Sequence, residues 1–397
     1  PMVKKQLGQF FTKNADYILN NLAKYVRGKN VADPFAGNGD LMKWASRHYA
    51  KRVRGFDVDR TLARGKIGWN DSINNPRHYD FVVTNPPYLN INKADQKTKG
   101  IYFRNFDYED LYQASLGAIM ESEGGIVIVP VNFLSAENAG KIRDRFFAKF
   151  RIDEINYFRE QVFADTTYNV IAFHYRRREK TGALLDGRFI MKTHIYPDDI
   201  VIPIELRQKY HWTIGGEVTE GIKKYDNVLG VRRLIENEIT ESKGPVPLAA
   251  AYNHVDTKIA VNVSEDLYRR IKSNIILLKA IDSGTPDGRI ALEDIRNYGV
   301  ECLVSKESSR HMIYFLFDHH QPTIREQEEI INLFNQEMSR MRENHLSLFL
   351  TNYRDNDRKR VSFDFVYKFI NYLYATRIRP RRENNIFASP TRYEPVG

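Results

Sequence analysis

The stretch DFVVTNPPYLN, residues 80–90, ends an apolar run on Asn85-Pro86-Pro87-Tyr88. Phe81-Val82-Val83 reads as a buried strand, and two successive prolines cannot continue its ladder. A proline pair at that point rigidly exposes the Asn85 amide and the Pro86 carbonyl, two hydrogen-bond acceptors. Two convergent acceptors suit an exocyclic –NH2 group with two hydrogens. Tyr88 adds a flat face for stacking an aromatic base, worth about 1–3 kcal/mol per base. Merely to end a strand, Asn-Pro-Pro-Tyr is a costly choice.

Three earlier stretches describe a second half of a site. NVADPFAGNGDL (30–41) runs from a strand through a glycine turn into a helix. Gly37 and Gly39 let the backbone bend sharply and approach a ligand, and the helix start offers free N–H groups. Standing alone, this is an ordinary strand–helix turn, and it is not a GxGxxG fingerprint. VRGFDVDR (53–60) ends a second strand on Asp57, whose carboxylate can accept from both hydroxyls of a ribose. GWNDSI (68–73) offers Asp71 to an adenine amino group. Together they outline a pocket for an adenosine-bearing ligand, and the lack of GxxxxGK[ST] argues against a triphosphate.

Such residues need a scaffold that brings strand ends together. Short apolar strands are expected at 30–34, 52–57, 80–84, 125–130, 152–158 and 169–175, with helical patterns at 39–48 and 108–122 between them. This alternation predicts an α/β domain with a mostly parallel sheet covered on both faces, which binds ligands beyond the carboxyl ends of its strands. The charged turn YRRREKTG (175–182) marks a domain boundary. Beyond it the pattern is less regular, with strand-like pieces at 200–204, 258–263 and 312–317 and a long helix from about 324 to 341. Basic clusters follow in NYRDNDRKR (352–360) and RIRPRR (377–382), with aromatics between them in FDFVYKFINYLY (363–374).

Composition narrows the class. The 397 residues are 42% hydrophobic and 28% charged, as in a globular protein, and the net charge of +10 points to a polyanionic partner. A single cysteine, Cys302, excludes intrachain disulfides and cysteine-based zinc sites and suits a reducing cytoplasm. No segment reads as a signal peptide or membrane span. DHH (318–320) has ligand-capable side chains but no spaced partners, so no metal is expected. The acidic stretch YPDDIVIPIELRQK (196–209) reads as a surface strand. NINKADQKTKGIYFRNF (90–106) reads as a long basic loop, either touching DNA phosphates or solvated.

Taken in order, these motifs resemble the S-adenosylmethionine-dependent amino methyltransferases. Within them they resemble the gamma-class, TaqI-like N6-adenine DNA methyltransferases of restriction–modification systems. The resemblance covers residues 6 to about 175. QLGQFFT (6–12) looks like the methionine-binding motif, DPFAGNG (33–39) the glycine motif and NPPY (85–88) the catalytic loop. EQVFADTTYNVIAFHY (160–175) resembles the late motif whose aromatic, here Phe163, stacks on a flipped base; in isolation Phe163 reads as core. The resemblance implies that Thr12, Asp33, Phe35, Gly37, Gly39, Asp57, Val58, Asp71, Asn85 and Pro87 hold S-adenosylmethionine. It implies that Asn85, Pro86, Pro87 and Tyr88 form the catalytic set, with Tyr88 and Phe163 around the base. Ser115 stands where some relatives carry an aromatic that packs the adenine.

The expected fold is therefore a Rossmann-like α/β methyltransferase domain over 1–178, followed by a mixed α+β target-recognition domain over 179–397. The expected activity is methyl transfer to adenine N6 in double-stranded DNA with base flipping, by a cytoplasmic monomer. A cognate restriction endonuclease fits such a role, with no stable complex implied, and no membrane partner is expected. An RNA adenine methyltransferase with the same pocket, or a non-catalytic DNA-binding module that kept the fold, would share many of these features. Cys302 lacks the context of a cytosine-C5 nucleophile, and asparagine at 85 leans toward adenine N6.

Overall fold

The computed structural model describes residues 12, 14–104, 107–163, 169–178, 187–282, 289–346, 352–354 and 358–380. Residues 6–11 of the QLGQFFT motif, 164–168 of the late motif, 105–106 of the basic loop and 179–182 of the charged turn lie outside the described residues, as do 355–357 and 381–382 of the basic clusters. The chain forms two compact units, Pro1–Gly216 with Leu348–Asp357, and Glu217–Ser347 with Arg358–Gly397.

The first unit is built on nine strands: β1 (Asn30–Asp33), β2 (Arg52–Asp57), β3 (Ile67–Trp69), β4 (Phe81–Thr84), β5 (Gly124–Pro130), β6 (Phe150–Phe158), β7 (Val170–Arg177), β8 (Arg188–Tyr196) and β9 (Ile200–Arg207). They lie in the order β3-β2-β1-β4-β5-β7-β6-β8-β9. Pairings from β3 through β5 are parallel; β7 runs antiparallel to both β5 and β6. This is a Rossmann-like α/β sheet, mixed rather than uniformly parallel. Every residue of β4 and β5 is buried, as expected where both faces are covered. In contrast, β8 starts by alternating exposed and buried residues, with one face wet.

Two features of this unit depart from expectation. Strands β8 and β9 continue the same sheet past residue 178, β8 parallel to β6 and β9 antiparallel to β8, so the compact unit runs on to Gly216. The charged turn interrupts the sequence but not the sheet. Moreover, no helix lies in the connections 58–66 and 70–80, so among the described residues these connections lay no helix on the face of β1–β3 that a doubly wound sheet would cover. The other face is covered by the helix Asp40–Arg47, which buries Leu41, Met42, Trp44 and Ala45. Gly55 makes that close approach possible, because a Cβ there would sit 2.4 Å from Met42 Sδ and 2.7 Å from Ala36 Cβ.

The second unit contains a four-stranded antiparallel sheet in the order Val231–Arg233, Met312–Phe317, Ile276–Lys279, Ala291–Asp294. A three-stranded sheet joins His254–Val263, Val246–Tyr252 and Cys302–Val304. The long helix spans Ile324–His345 and starts on a capping box, with Thr323 and Glu326 exchanging hydrogen bonds. Its buried Ile330, Phe334, Met338 and Met341 fall at helical spacing, and Phe334 meets Phe369 of the helix Phe363–Leu373 at 5.0 Å between ring centroids. Cys302 is fully buried, and burial pushes its thiol up to about 12, so it behaves as a small inert hydrophobe. In the DHH stretch, Asp318 pairs with Arg232 and Arg270, and His320 Nε2 lies 2.7 Å from the Tyr374 hydroxyl. Among the described residues no group of three or more His, Cys, Asp or Glu could hold a metal ion, and no helix is long and apolar enough to cross a membrane.

Candidate active site

Strand order reverses around β1, with β2 on one side and β4 on the other, and a crevice is expected there beyond the carboxyl ends. A cavity opens at that place, lined by the ends of neighbouring strands. The end of β1 contributes Asp33, Phe35 and Gly37, and the end of β2 contributes Asp57 and Val58. Asp71 follows β3, Asn85 and Pro87 follow β4, and Thr12 joins from the amino-terminal segment. Gly39 is not in the lining. It caps the helix Asp40–Arg47 with φ of 79°, a left-handed conformation that favours glycine, as does the φ of 50° at Gly37.

The carboxylates are held before any ligand arrives. Asp57 accepts from the Gly37 and Asp59 amides, each at 2.8 Å, which locks the glycine turn to the end of β2. Burial raises its pKa, and those same amides oppose the rise. Asp33 is deeper, 2% exposed, and accepts from Thr84 Oγ1 at 2.6 Å and the Phe35 amide at 3.1 Å. Burial pushes the Asp33 carboxyl up to about 7 despite these bonds. Asp71 is tied to Asn74, through its side-chain amide at 3.0 Å, and stands beside the buried Tyr102 hydroxyl.

A stability prediction follows from Asp33. Its folded pKa, about 7, lies above the ordinary carboxyl value, so between roughly pH 4 and pH 7 the folded chain keeps a proton the unfolded chain has lost. That contribution is fully present below the unfolded pKa and is lost as pH rises through about 7. Asp33→Asn keeps an acceptor for Thr84 but does not titrate. Thermal melts at a series of pH values should show wild type losing more stability than the variant between pH 5 and 8, estimated from linkage as about that window. Parallel curves for the two proteins would assign the proton elsewhere.

Asn85 is oriented from both ends. Its Nδ2 donates to Thr12 Oγ1 at 3.1 Å, while its Oδ1 accepts from the Tyr88 hydroxyl. Tyr88 is only 3% exposed, and its hydroxyl also reaches the Ile128 carbonyl at 2.9 Å. The open stacking face expected of Tyr88 is therefore covered in this arrangement. Pro86 is buried as well, whereas Pro87 is half-buried. An amide oxygen has two lone pairs, and the Tyr88 hydroxyl occupies one of those of Asn85 Oδ1. Phe163, 4% exposed, is not part of the cavity wall; its carbonyl accepts from Gln161 Nε2 at 2.8 Å.

Several wall residues were not anticipated. Asn70 and Asn75 exchange amide contacts at 2.8 and 3.1 Å, and Ser72 Oγ donates to the Pro34 carbonyl at 2.8 Å, fixing the turn after β3 against the turn after β1. Tyr102 arrives from the 90–104 stretch, which folds into short helical turns with Tyr102 and Phe103 buried rather than into an open loop. The aromatics interleaved in this stretch, Tyr102 and Phe103, serve packing. Leu111 also lines the cavity, while Ser115 bonds back to the Leu111 carbonyl at 2.9 Å and stays within its helix.

Among solved structures, the chain is similar to a modification subunit of a putative type I restriction enzyme from Vibrio vulnificus YJ016, with 16% identity and a TM-score of 0.38 over 49% of this chain and 48% of that one. It is similar to the type I restriction enzyme EcoKI M protein, with 17% identity and a TM-score of 0.38 over 47% of this chain and 49% of that one. The chain thus spans about half the length of these two. It is also similar to the type IIL restriction-modification enzyme MmeI, solved in complex with DNA, with 12% identity and a TM-score of 0.48 over 90% of this chain and 64% of that one. No curated protein matches it. Residues 11–163, the stretch that supplies the whole cavity wall, match the family model described as Eco57I restriction-modification methylase.

Proposed function

We propose that this chain is a site-specific DNA methyltransferase that moves a methyl group from S-adenosylmethionine to N6 of an adenine extruded from duplex DNA. One juxtaposition carries the reading: Asn85, at the end of β4, shares a single cavity wall with Asp33, Asp57 and Asp71. An amide acceptor for an amine and three acids suited to an adenosine-bearing amino acid thereby meet. The residues fit S-adenosylmethionine in donor type: the cavity presents a buried carboxyl toward an ammonium, a strand-end carboxylate toward a ribose, and a polar–apolar slot at Asp71 and Val58 toward a purine. When bound, that cofactor supplies an electrophilic methyl group.

The chain's own work is positioning. Adenine N6 is a poor nucleophile, because its lone pair is delocalised into the ring. Hydrogen bonds from N6 to Asn85 Oδ1 and the Pro86 carbonyl would favour a tetrahedral nitrogen and localise that pair. Thr12 holds the Asn85 amide so that its oxygen, not its nitrogen, is offered. Tyr88 and Phe163 would flank the base, and since both rings are buried they must part to admit it. Residues 1–178 hold the catalytic elements in this reading. Target recognition falls to the chain from 179 onward, chiefly the compact unit that begins at Glu217, with β8 and β9 remaining part of the catalytic sheet. A cognate restriction endonuclease that reads the same site, without a stable complex, suits such a role. Incubation with methyl-labelled S-adenosylmethionine and matched genomic DNA or total RNA tests the substrate. Label is expected in duplex DNA; label confined to RNA would favour the RNA methyltransferase reading.

A further inference from the structure

A second charged surface lies away from the catalytic cavity, on the other face of β1–β3. Gly55 faces the helix Asp40–Arg47, and side chains alternate along a strand, so Arg52, Arg54 and Phe56 point to the opposite face. Register places Asn30 beside Arg52, Ala32 beside Arg54 and Gly68 beside Phe56. Small residues at two of those positions leave a trough, and the helix-free connection 70–80 does not fill it. Lys51, Lys66 and Arg77 join Arg52 and Arg54 along the trough, all five exposed. Its one acidic wall residue, Asp80, is held by Asn30 Nδ2 at 2.9 Å.

These cations are not there to satisfy carboxylates. Among the described residues none of the five has an ion-pair partner within 4.0 Å. The guanidinium groups of Arg54 and Arg77 each lie 4.8 Å from the centroid of the Phe56 ring, itself 4% exposed. Two like charges brought to one buried ring repel each other, and an anion shared between them would relieve that repulsion. Arg52 and Arg54, two residues apart on one strand, are spaced by about 6.6 Å. The five cations are spread over β2 and the residue before it, the approach to β3 and the 70–80 connection, which suits an extended polyanion better than a compact one.

We propose that this face is a second DNA-backbone contact, taking phosphates of duplex that lies outside the methylated site. The choice of DNA over an acidic protein rests on the proposed methyltransferase reading, because the same unit would already hold a duplex at the other end of these strands. The trough carries no base-reading role: guanidinium and ammonium groups along it neutralise phosphates irrespective of sequence.

The test compares wild type with R52A/K66A, two exposed cations whose loss leaves Phe56 covered. A second variant, R54Q/R77Q, keeps polar caps over the ring. Affinity is measured against salt on duplexes of about 20 and about 60 base pairs. On the long duplex, R52A/K66A should lower the slope of log K against log salt by about 1.8, some 0.9 per lost phosphate contact. On the short duplex the slope and the rate of methyl transfer should match wild type. Identical slopes for wild type and both variants on the long duplex would overturn the inference. So would a poly-glutamate peptide that binds wild type and not the variants while DNA slopes stay equal, since the trough would then serve an acidic protein. A reduced slope in a protein that transfers no methyl group supports the trough and removes only the reaction proposed above.

Discussion

Asn85→Ala should lower the rate of methyl transfer by about 10²–10³-fold, the usual loss when one positioned polar group at a reacting centre is removed. Cofactor affinity should change far less. Asn85 is the residue where two requirements meet: its oxygen must face the incoming amine, and its nitrogen must be occupied elsewhere. The structure supplies the second through Thr12 Oγ1 at 3.1 Å and steadies the oxygen through the Tyr88 hydroxyl. Alanine removes the amide and leaves the cavity's carboxylates at Asp33 and Asp57 with their present partners. Single-turnover transfer and calorimetric titration with S-adenosylmethionine separate the two effects. Tyr88→Phe is the matching control, because it keeps the ring and frees Asn85 Oδ1 and the Ile128 carbonyl of one donor. It should retain transfer within about tenfold, since an amide oxygen accepts equally well from a substrate amine. A rate for Asn85→Ala within threefold of wild type, about 0.7 kcal/mol, would remove Asn85 from the chemistry.

Asp57→Ala should weaken S-adenosylmethionine binding by about 100-fold or more, close to 3 kcal/mol. Two losses combine. The ribose would lose its carboxylate acceptor, and the Gly37 and Asp59 amides would each lose a partner now 2.8 Å away. A buried N–H left unpaired costs about 1–3 kcal/mol, and here that cost loosens the very turn that must approach the ligand. Asp57→Asn keeps one oxygen and should fall between wild type and alanine. Because Gly37 and Asp59 are intramolecular partners, the alanine variant should also melt at lower temperature without cofactor. Equal cofactor affinity for wild type and alanine would separate Asp57 from the ligand.

The strand ends were readable because each couples an apolar run to an abrupt polar stop. β2 has the expected limits, Arg52–Asp57, and β4 ends one residue before Asn85. Asp33, Asp57, Asp71 and Asn85, scattered over 53 positions, come to one wall because the sheet places β1, β2, β3 and β4 side by side. What escaped the sequence is tertiary. A charged turn resembles a boundary whether or not the next strand rejoins the same sheet, and β8 rejoins it through β6, which is distant in sequence. The ring after a proline pair is likewise placed by tertiary contacts: Tyr88 sets its hydroxyl on the Ile128 carbonyl of a neighbouring strand. The wall formed by Asn70, Ser72 and Tyr102 depends on contacts between separate turns, which no local spacing encodes.

The most direct measurement is mass spectrometry of nucleosides from duplex DNA after incubation with the protein and S-adenosylmethionine. N6-methyl-2′-deoxyadenosine should accumulate with wild type and fall to background with Asn85→Ala. Methylation of cytosine alone, or no modified nucleoside from folded protein that binds S-adenosylmethionine, would contradict the proposed reaction.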